Sequence, residues 1–170
     1  KGIKKTTGDW IIFMNCGDRF FSPTVLMEVF SREIQPKVQI IYGNWEVRYP
    51  SGRTRKVLAG DENYLEQGSQ FCHQACFINS DFQKKNSYNL QNPIVADFEF
   101  FFNAYLAGIK FQRMNLSIAS IESGGLSDKN RVKVIQSWMK IVPKSLKSQL
   151  YFESRILRER IVSVLKKILF

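Results

Sequence analysis

The sequence predicts an α/β fold on three observations. Short apolar runs typical of buried strands alternate along the chain with segments of helical character. The chain has 170 residues, 44% of them hydrophobic, which is enough to bury a substantial core in one domain. Its 14 Phe residues argue against disorder.

The first half of the chain predicts two strands, a helix and a hairpin. Trp10 to Asn15 form an apolar run that predicts a buried strand. Ser22 as N-cap and Pro23 at the first helical position predict a helix whose apolar residues extend to Ile34. Residues 38–43 predict a second buried strand. A hairpin follows, turning at Pro50-Ser51-Gly52.

The second half predicts further alternation of strands and helices. Residues 71–79 form a strand entered through a polar corner, and residues 95–108 form a helix capped by Gly108. Residues 109–121 supply one or two strands. From about Asp128 onward the chain is helical, with a break near Pro143.

The charge of the chain is concentrated near its C-terminus. The net charge is +10, but residues 1–128 carry 14 Lys and Arg against 13 Asp and Glu, a net +1. Residues 129–170 carry 11 Lys and Arg against Glu153 and Glu159, a net +9. We therefore divide the chain into a domain at 1–128 and a basic helical tail at 129–170. Because the basic residues are confined to the tail and no RNA-binding or zinc-finger pattern occurs, nucleic acid is not an expected partner.

The cysteine count predicts the cellular compartment of the protein, and the first residues bear on how the chain begins. Three cysteines, an odd number, do not form a disulfide framework and favour a reducing compartment, here the cytoplasm. No apolar run approaches the roughly 20 residues that span a bilayer. The chain opens Lys1-Gly2-Ile3 without Met, which we interpret as the interior of a longer protein.

The segment Asn15-Cys16-Gly17-Asp18 places a carboxylate after a predicted strand. In open α/β sheets, ligands bind just outside the carboxyl ends of strands. Asp18 there is suited to a divalent cation that holds phosphates. The alternative is that Gly17 and Asp18 only form a turn.

The sequence "SQLYFESRILRERIVSVLKKILF" predicts a basic amphipathic helix. Such a helix is typical of binding to an anionic membrane surface. The alternative is that the apolar stripe packs on the domain or on a second subunit of a homodimer. The predicted stripe comprises Leu150, Ile156, Leu157, Ile161, Val164, Leu165, Ile168 and Leu169.

His73 is the only histidine and lies between Cys72 and Cys76. Three neighbouring ligands without a fourth make a poor zinc site, so a structural histidine is the default interpretation. Gly124 and Gly125 either form an ordinary turn or let the backbone approach a sugar or phosphate closely.

Several motifs in order give the chain a resemblance to a known family. They are "TTGDWIIFMNCGDRFF", "IIYGN", "CHQACFINSDF", "ADFEFFFNAYLAG" and "ESGGLS", within residues 1 to about 128. The first resembles A-T-G-x-x-I-x-F-L-D-x-D-D-x-F, the third H-Q-x-x-F and the fourth E-D-x-x-F. Together they resemble the inverting family 2 glycosyltransferases with a GT-A fold, in particular those of capsule and exopolysaccharide synthesis.

The resemblance implies a Rossmann-like mixed sheet flanked by helices and a set of site residues. Asp97 would be the general base, with Glu99 as the second candidate on the same turn. Asn15, Gly17 and Asp18 would bind the nucleotide-sugar donor, with Asp18 on Mg²⁺ or Mn²⁺. The acceptor side would be formed by His73, Gln74, Glu99, Gly124 and Gly125.

The chain departs from the family pattern in two ways. The family's opening strands, with the nucleotide-base-binding residues, would precede Lys1, so the chain corresponds to the later part of the domain. Asn15 and Gly17 also stand where many relatives carry Asp.

The sequence thus leaves two kinds of function open. One is a glycosyltransferase that acts with inversion on a glycan or lipid-linked acceptor in cell-surface polysaccharide biosynthesis. It would be cytoplasmic, either free or peripheral at the inner face of the plasma membrane. The other is a catalytically inactive interaction domain, or one that binds nucleic acid or membrane.

Overall fold

A mixed six-stranded sheet forms the centre of the molecule. The computed structural model describes residues 2–169, and the surroundings of side chains up to Leu165. The strands of this part are β1 (Trp10–Ile11), β2 (Arg19–Phe20), β3 (Val38–Arg48), β4 (Thr54–Val57), β5 (Cys76–Asn79) and β6 (Lys110–Glu122). Their order is β1–β5–β3–β6–β2, with β4 paired to β3 beyond the start of β5.

Strand β3 is the central strand. It runs parallel to β6 and antiparallel to β4 and β5. Because β1 is also antiparallel to β5, the strands β1, β3 and β6 all point in the same direction. Side chains alternate between the two faces of a strand, so Ile40 and Tyr42 lie on one face and Ile41 on the other.

Helices cover both faces of this sheet. They are α1 (Val25–Phe30), α2 (Ser80–Lys85), α3 (Ala96–Leu106), α4 (Leu126–Lys129), α5 (Arg131–Ile141) and α6 (Leu146–Leu169). Phe98 of α3, Trp138 of α5 and Phe152 of α6 pack in the same cluster as Ile40 and Tyr42. On the opposite face α1 packs Val25 and Val29 against Ile41. The predicted α/β class, with a mixed sheet between helices, is confirmed.

Two early elements are shorter than the sequence predicts. The strand predicted over Trp10 to Asn15 is limited to β1, because the chain after Ile11 leaves β5 and crosses to β2, which pairs with β6. The first helix begins after Thr24 rather than at Pro23, and it ends at Phe30 instead of reaching Ile34. Pro36 disfavours helical backbone at the residue before it, which restricts how far that helix can extend.

The later elements agree better with the sequence. The hairpin turns at Pro50–Gly52, and one continuous strand, β6, occupies the region predicted as one or two strands. Helix α3 ends with Ala107 as its C-cap, and Gly108 follows with a left-handed φ of 69°. The break near Pro143 separates α5 from α6. The strand predicted over 71–79 is limited to its second half, β5.

None of the helices between residues 2 and 169 is both long enough and apolar enough to cross a bilayer.

Candidate active site at the carboxyl edge of the sheet

The candidate site lies at the edge of the sheet where β1, β3 and β6 end. Strand β5 runs the other way, so its beginning, with Cys72–Ala75 before it, lies at this same edge. Ligands of open α/β sheets bind outside the carboxyl ends of the strands. The predicted donor-side and acceptor-side segments therefore meet in one place.

Residues 12–18, which we call the strap, cross this edge from one side of the sheet to the other. They leave β1, which pairs with β5, and enter β2, which pairs with β6. On the way Phe13 stacks on the ring of His73, with centroids 5.1 Å apart. Further along, the carbonyl of Gly17 accepts a hydrogen bond from Arg48. The strap thus contacts the beginning of β5 and the end of β3.

Asp18 connects the strap to two other segments of the site. Its Oδ2 accepts a hydrogen bond from Nε2 of Gln74 at 3.2 Å. Its Oδ1 accepts one from the backbone N–H of Glu122 at 3.1 Å. The backbone N–H of Asp18 donates to the carbonyl of Asn15 at 3.1 Å, so the segment also forms the turn named as the alternative. Both features are present: a turn, and a half-buried carboxylate held by two donors.

Gln74 joins Asp18 to a buried thiol. The Sγ of Cys72 donates to Oε1 of Gln74 at 2.9 Å, while the amide nitrogen of Gln74 donates to Asp18. Burial, together with the charges of Asp97 and Asp18, raises the pKa of Cys72 to about 12. The thiol therefore stays protonated at neutral pH, as a hydrogen-bond donor and not as a thiolate nucleophile.

His73 lies in an aromatic surrounding at the same edge. Its Nε2 is 3.0 Å from the hydroxyl of Tyr88, and the ring contacts Phe13, Tyr88 and Phe101. Burial lowers the pKa of His73, and the nearby charge of Asp97 opposes this shift. Burial also raises the pKa of Tyr88, with the charge of Asp97 adding to the effect. A neutral histidine paired with a neutral tyrosine results.

Asp97 and Glu99 lie on the first turn of α3 but have different surroundings. Asp97 is half-buried, and its Oδ1 accepts a hydrogen bond from the backbone N–H of Phe98 at 2.8 Å. Both oxygens of Glu99 accept side-chain hydrogen bonds, from Asn89 at 3.0 Å and from Asn92 at 2.8 Å. Glu99 therefore holds the loop before α3. The charge of Asp97 instead contributes to the pKa shifts of Cys72, His73 and Tyr88.

Arg48 and Glu122 also belong to this edge, although sequence reasoning did not select them. They are direct neighbours in the pairing of β3 with β6, and their charged groups are 3.6 Å apart. Arg48 also donates to the carbonyl and hydroxyl of Ser120, at 3.2 and 3.1 Å. In the sequence, Arg48 lies shortly before the predicted hairpin turn and Glu122 directly follows the strand predicted over 109–121. Only the parallel register of β3 and β6 pairs the two.

Gly124 and Gly125 follow β6 after one intervening residue, Ser123, and are exposed. Gly124 has a left-handed φ of 88°, and its N–H donates to Asp128 at 2.9 Å. The N–H of Ser123 donates to the carbonyl of Arg48 at 2.9 Å, which fixes the start of this segment to β3. The two glycines thus form a turn into α4, two residues beyond the contact with Asp18.

Asp18 and Glu122 are the carboxylates at this edge that could hold a cation. A carboxylate has about four acceptor positions, and protein donors use two of those of Asp18. The carboxylate of Glu122 is close to the strap, 2.7 Å from where a Cβ on Gly17 would lie. In the described part of the chain no group of three His, Cys, Asp or Glu side chains is arranged to hold a metal, and this includes Cys72, His73 and Cys76.

The chain matches no protein-family model and no curated protein.

Proposed function

We propose that the protein is an inverting glycosyltransferase. It transfers a sugar from a nucleotide-sugar donor to a glycan or lipid-linked acceptor in the synthesis of cell-surface polysaccharide. One observation carries the proposal: the motif segments, far apart in sequence, meet at the ligand-binding edge of a mixed sheet. Asp18 contacts both Gln74 and Glu122, and the charge of Asp97 reaches Cys72 and His73 beside them.

On the donor side, Asp18 and Glu122 are the residues that would hold Mg²⁺ or Mn²⁺. Both supply carboxylate oxygens, which are the ligands that these hard cations prefer. The bound cation would neutralise charge that develops on the departing diphosphate. Many relatives carry Asp at the positions of Asn15 and Gly17. Glu122 provides a second carboxylate that those two positions lack here. Asn15 is exposed on the strap beside them and is available to the ribose or to a phosphate-bound water.

On the acceptor side, Asp97 is the general base. Its carboxylate takes the proton of the acceptor hydroxyl while that oxygen bonds to the anomeric carbon of the sugar. The bond from this carbon to the nucleoside diphosphate breaks on the opposite face, which inverts the configuration. Asp97 lies on the first turn of α3, close to the partial positive charge of the helix N-terminus.

His73 and Gln74 contribute to the acceptor side in different ways. The neutral His73 and Tyr88 form a firm aromatic wall next to Asp97, suited to the apolar face of a sugar ring. Gln74 positions Asp18 by its amide hydrogen bond and thereby connects the donor and acceptor sides. We assign the sheet to the GT-A class on the motif resemblance and this arrangement. The cysteine count motivates the proposed cytoplasmic location, and the charge distribution motivates the division at residue 128.

The test is sugar transfer by the full-length protein. UDP-, GDP- and dTDP-sugars are offered with Mn²⁺, and release of nucleoside diphosphate is measured. Calorimetry of UDP, GDP and dTDP with and without Mn²⁺ then compares the wild type with Asp18→Ala. We expect the variant to lose the metal-dependent part of binding.

Two results would contradict the proposal. If Asp18→Ala bound the nucleotides with unchanged metal dependence, Asp18 would not hold the metal and would only form the turn. Absence of both turnover and diphosphate binding with every donor would favour an inactive interaction domain.

A further inference from the structure

Helix α6 has one face packed on the domain. Phe152 is buried and Ile156 half-buried against the cluster that contains Trp138. Arg155 donates to the carbonyl of Gln67 at 2.9 Å, and its guanidinium lies 5.4 Å from the ring centroid of Trp138. The predicted stripe is therefore wrong in one respect, because Ile156 belongs to the packed face. The side chains of Ile168 and Leu169 lie outside the described residues.

A second apolar stripe lies on the opposite side of α6 and is exposed. Its members fall within about 60° of the helix circumference at roughly 3.6 residues per turn. We call them the outer stripe. They are Leu146 (74% exposed), Leu150 (58%), Leu157 (60%), Ile161 (51%) and Val164 (55%). An apolar helix face that is exposed over this length is typical of an interaction site.

We propose that the outer stripe docks on a phospholipid membrane with anionic headgroups. Exposed cations flank it on both sides, Lys147 and Arg158 on one and Arg160 on the other, with Glu153 as the acid among them. Basic residues near an anionic surface attract it, and an inserted apolar face adds a contribution that salt does not screen. Because the other face of α6 is packed on the domain, the helix lies along the membrane surface.

The flanking charges decide between a membrane and a second copy of the chain. Two copies that paired through this stripe would bring Lys147, Arg158 and Arg160 of both chains together, with only Glu153 to offset them. Like charges at a helix contact are destabilising. Anionic headgroups neutralise the same residues, so the charge pattern favours lipid. This docking does not depend on the chemistry proposed above.

The test is co-sedimentation of the full chain with vesicles. Phosphatidylcholine vesicles that contain phosphatidylglycerol are compared with phosphatidylcholine alone, at low and high salt. We expect binding only to the anionic vesicles and weaker binding in salt. The variant Leu157→Ser/Ile161→Ser should bind at least roughly tenfold more weakly, because it loses inserted apolar area. Its matched control is Leu58→Ser/Leu90→Ser, which removes two leucines elsewhere that are even more exposed and should bind as the wild type does.

A second pair of variants tests the charges. Arg158→Glu/Arg160→Glu should weaken binding by roughly thirtyfold or more, from the loss of two surface arginines. Lys84→Glu/Lys85→Glu makes the same change in net charge on α2 and should have a smaller effect. Wild-type binding by the stripe variant would overturn the proposal, and so would equal effects of the two charge variants. Sedimentation without lipid completes the test, because a dimer that the stripe variant abolishes would identify a second copy as the occupant.

Discussion

At the scale of single residues, the surroundings of each carboxylate decide what it can do. Glu99 has both oxygens engaged by Asn89 and Asn92. Asp97 accepts one local backbone hydrogen bond, and its charge acts on His73 and Tyr88. We therefore expect chemistry from Asp97 and structural support from Glu99.

Asp97→Asn should lower kcat by roughly 10²–10⁴-fold, because a general base contributes about that much to the rate. Donor binding should stay nearly unchanged, since the base acts on the acceptor in the transition state. Steady-state kinetics with calorimetry of the donor measures both effects. Glu99→Gln is the comparison, and it should lower thermal stability by weakening the hold on the loop. A variant of Asp97 that kept more than about a tenth of the wild-type kcat would exclude it as the base.

His73 makes a pH-dependent contribution to stability. Burial holds its pKa below the ordinary value, so the folded state binds this proton less readily than the unfolded state does. This contribution is fully present above about pH 6.5 and is lost as the pH falls, by up to about 1.4 kcal/mol per pH unit. Urea denaturation across the acid range measures the slope. Because His73 is the only histidine, His73→Gln should remove the slope near this pH, and an unchanged slope would assign it to other groups.

At the scale of elements, the strap lies so close to the ends of β3 and β6 that position 17 leaves little room for a side chain. Gly17 has a φ of +88°, and a Cβ there would lie 2.7 Å from the carboxylate of Glu122. Its carbonyl also accepts from Arg48. Glycine at this position therefore lets the strap lie close against the ends of β3 and β6, where it presents Asp18.

Gly17→Ala should destabilise the protein for two reasons, left-handed backbone strain and the contact with Glu122. Gly52→Ala is a matched control, because Gly52 has a φ of +80° and no atom within 4 Å of its would-be Cβ. The control should lose about 1–2 kcal/mol of unfolding free energy from strain alone. Gly17→Ala should lose up to about 1 kcal/mol more, because the Glu122 carboxylate must move aside and give up its ion pair with Arg48. Measured by urea denaturation in a Glu122→Ala background, Gly17→Ala should no longer cost that excess free energy of unfolding. If Gly17→Ala and Gly52→Ala cost the same, the close contact with Glu122 is unimportant.

At the scale of the whole molecule, one hydrophobic cluster unites segments from most of the chain. It includes Ile40 of β3, Phe98 of α3 and Trp138 of α5, with the rings of Phe98 and Trp138 5.4 Å apart. Phe152 of α6 is 1% exposed in the same cluster. The packed face of α6 is thus part of the core, although the same helix carries the outer stripe.

Phe152→Ala should lower the free energy of unfolding by about 3–5 kcal/mol, the usual cost of removing a buried phenyl ring. Leu157→Ala, on the opposite face of the same helix, should change it by less than about 0.5 kcal/mol, because Leu157 is 60% exposed. Denaturant titration of both variants provides the comparison. Equal costs would mean that α6 is not oriented as described, and the outer stripe would then lose its basis.

The sequence by itself determined the elements that depend on local patterning. The apolar run of β3, the hairpin at Pro50–Gly52 and the break near Pro143 all follow from the periodicity of apolar residues and from Pro and Gly, whose backbone preferences act locally. The motifs also selected Asp18 and Gln74, which the structure brings within hydrogen-bond distance.

Only the tertiary structure decided the rest, because it depends on which strands pair and in what register. The run after Ile11 is apolar enough for a strand but leaves β5, since the chain crosses the edge of the sheet to pair as β2 with β6. Arg48 and Glu122 become neighbours only through the parallel pairing of β3 with β6. The apolar residues of α6 look like one stripe in sequence, but packing against Trp138 divides them into two faces, since burial is a property of what lies opposite a residue and not of the residue alone.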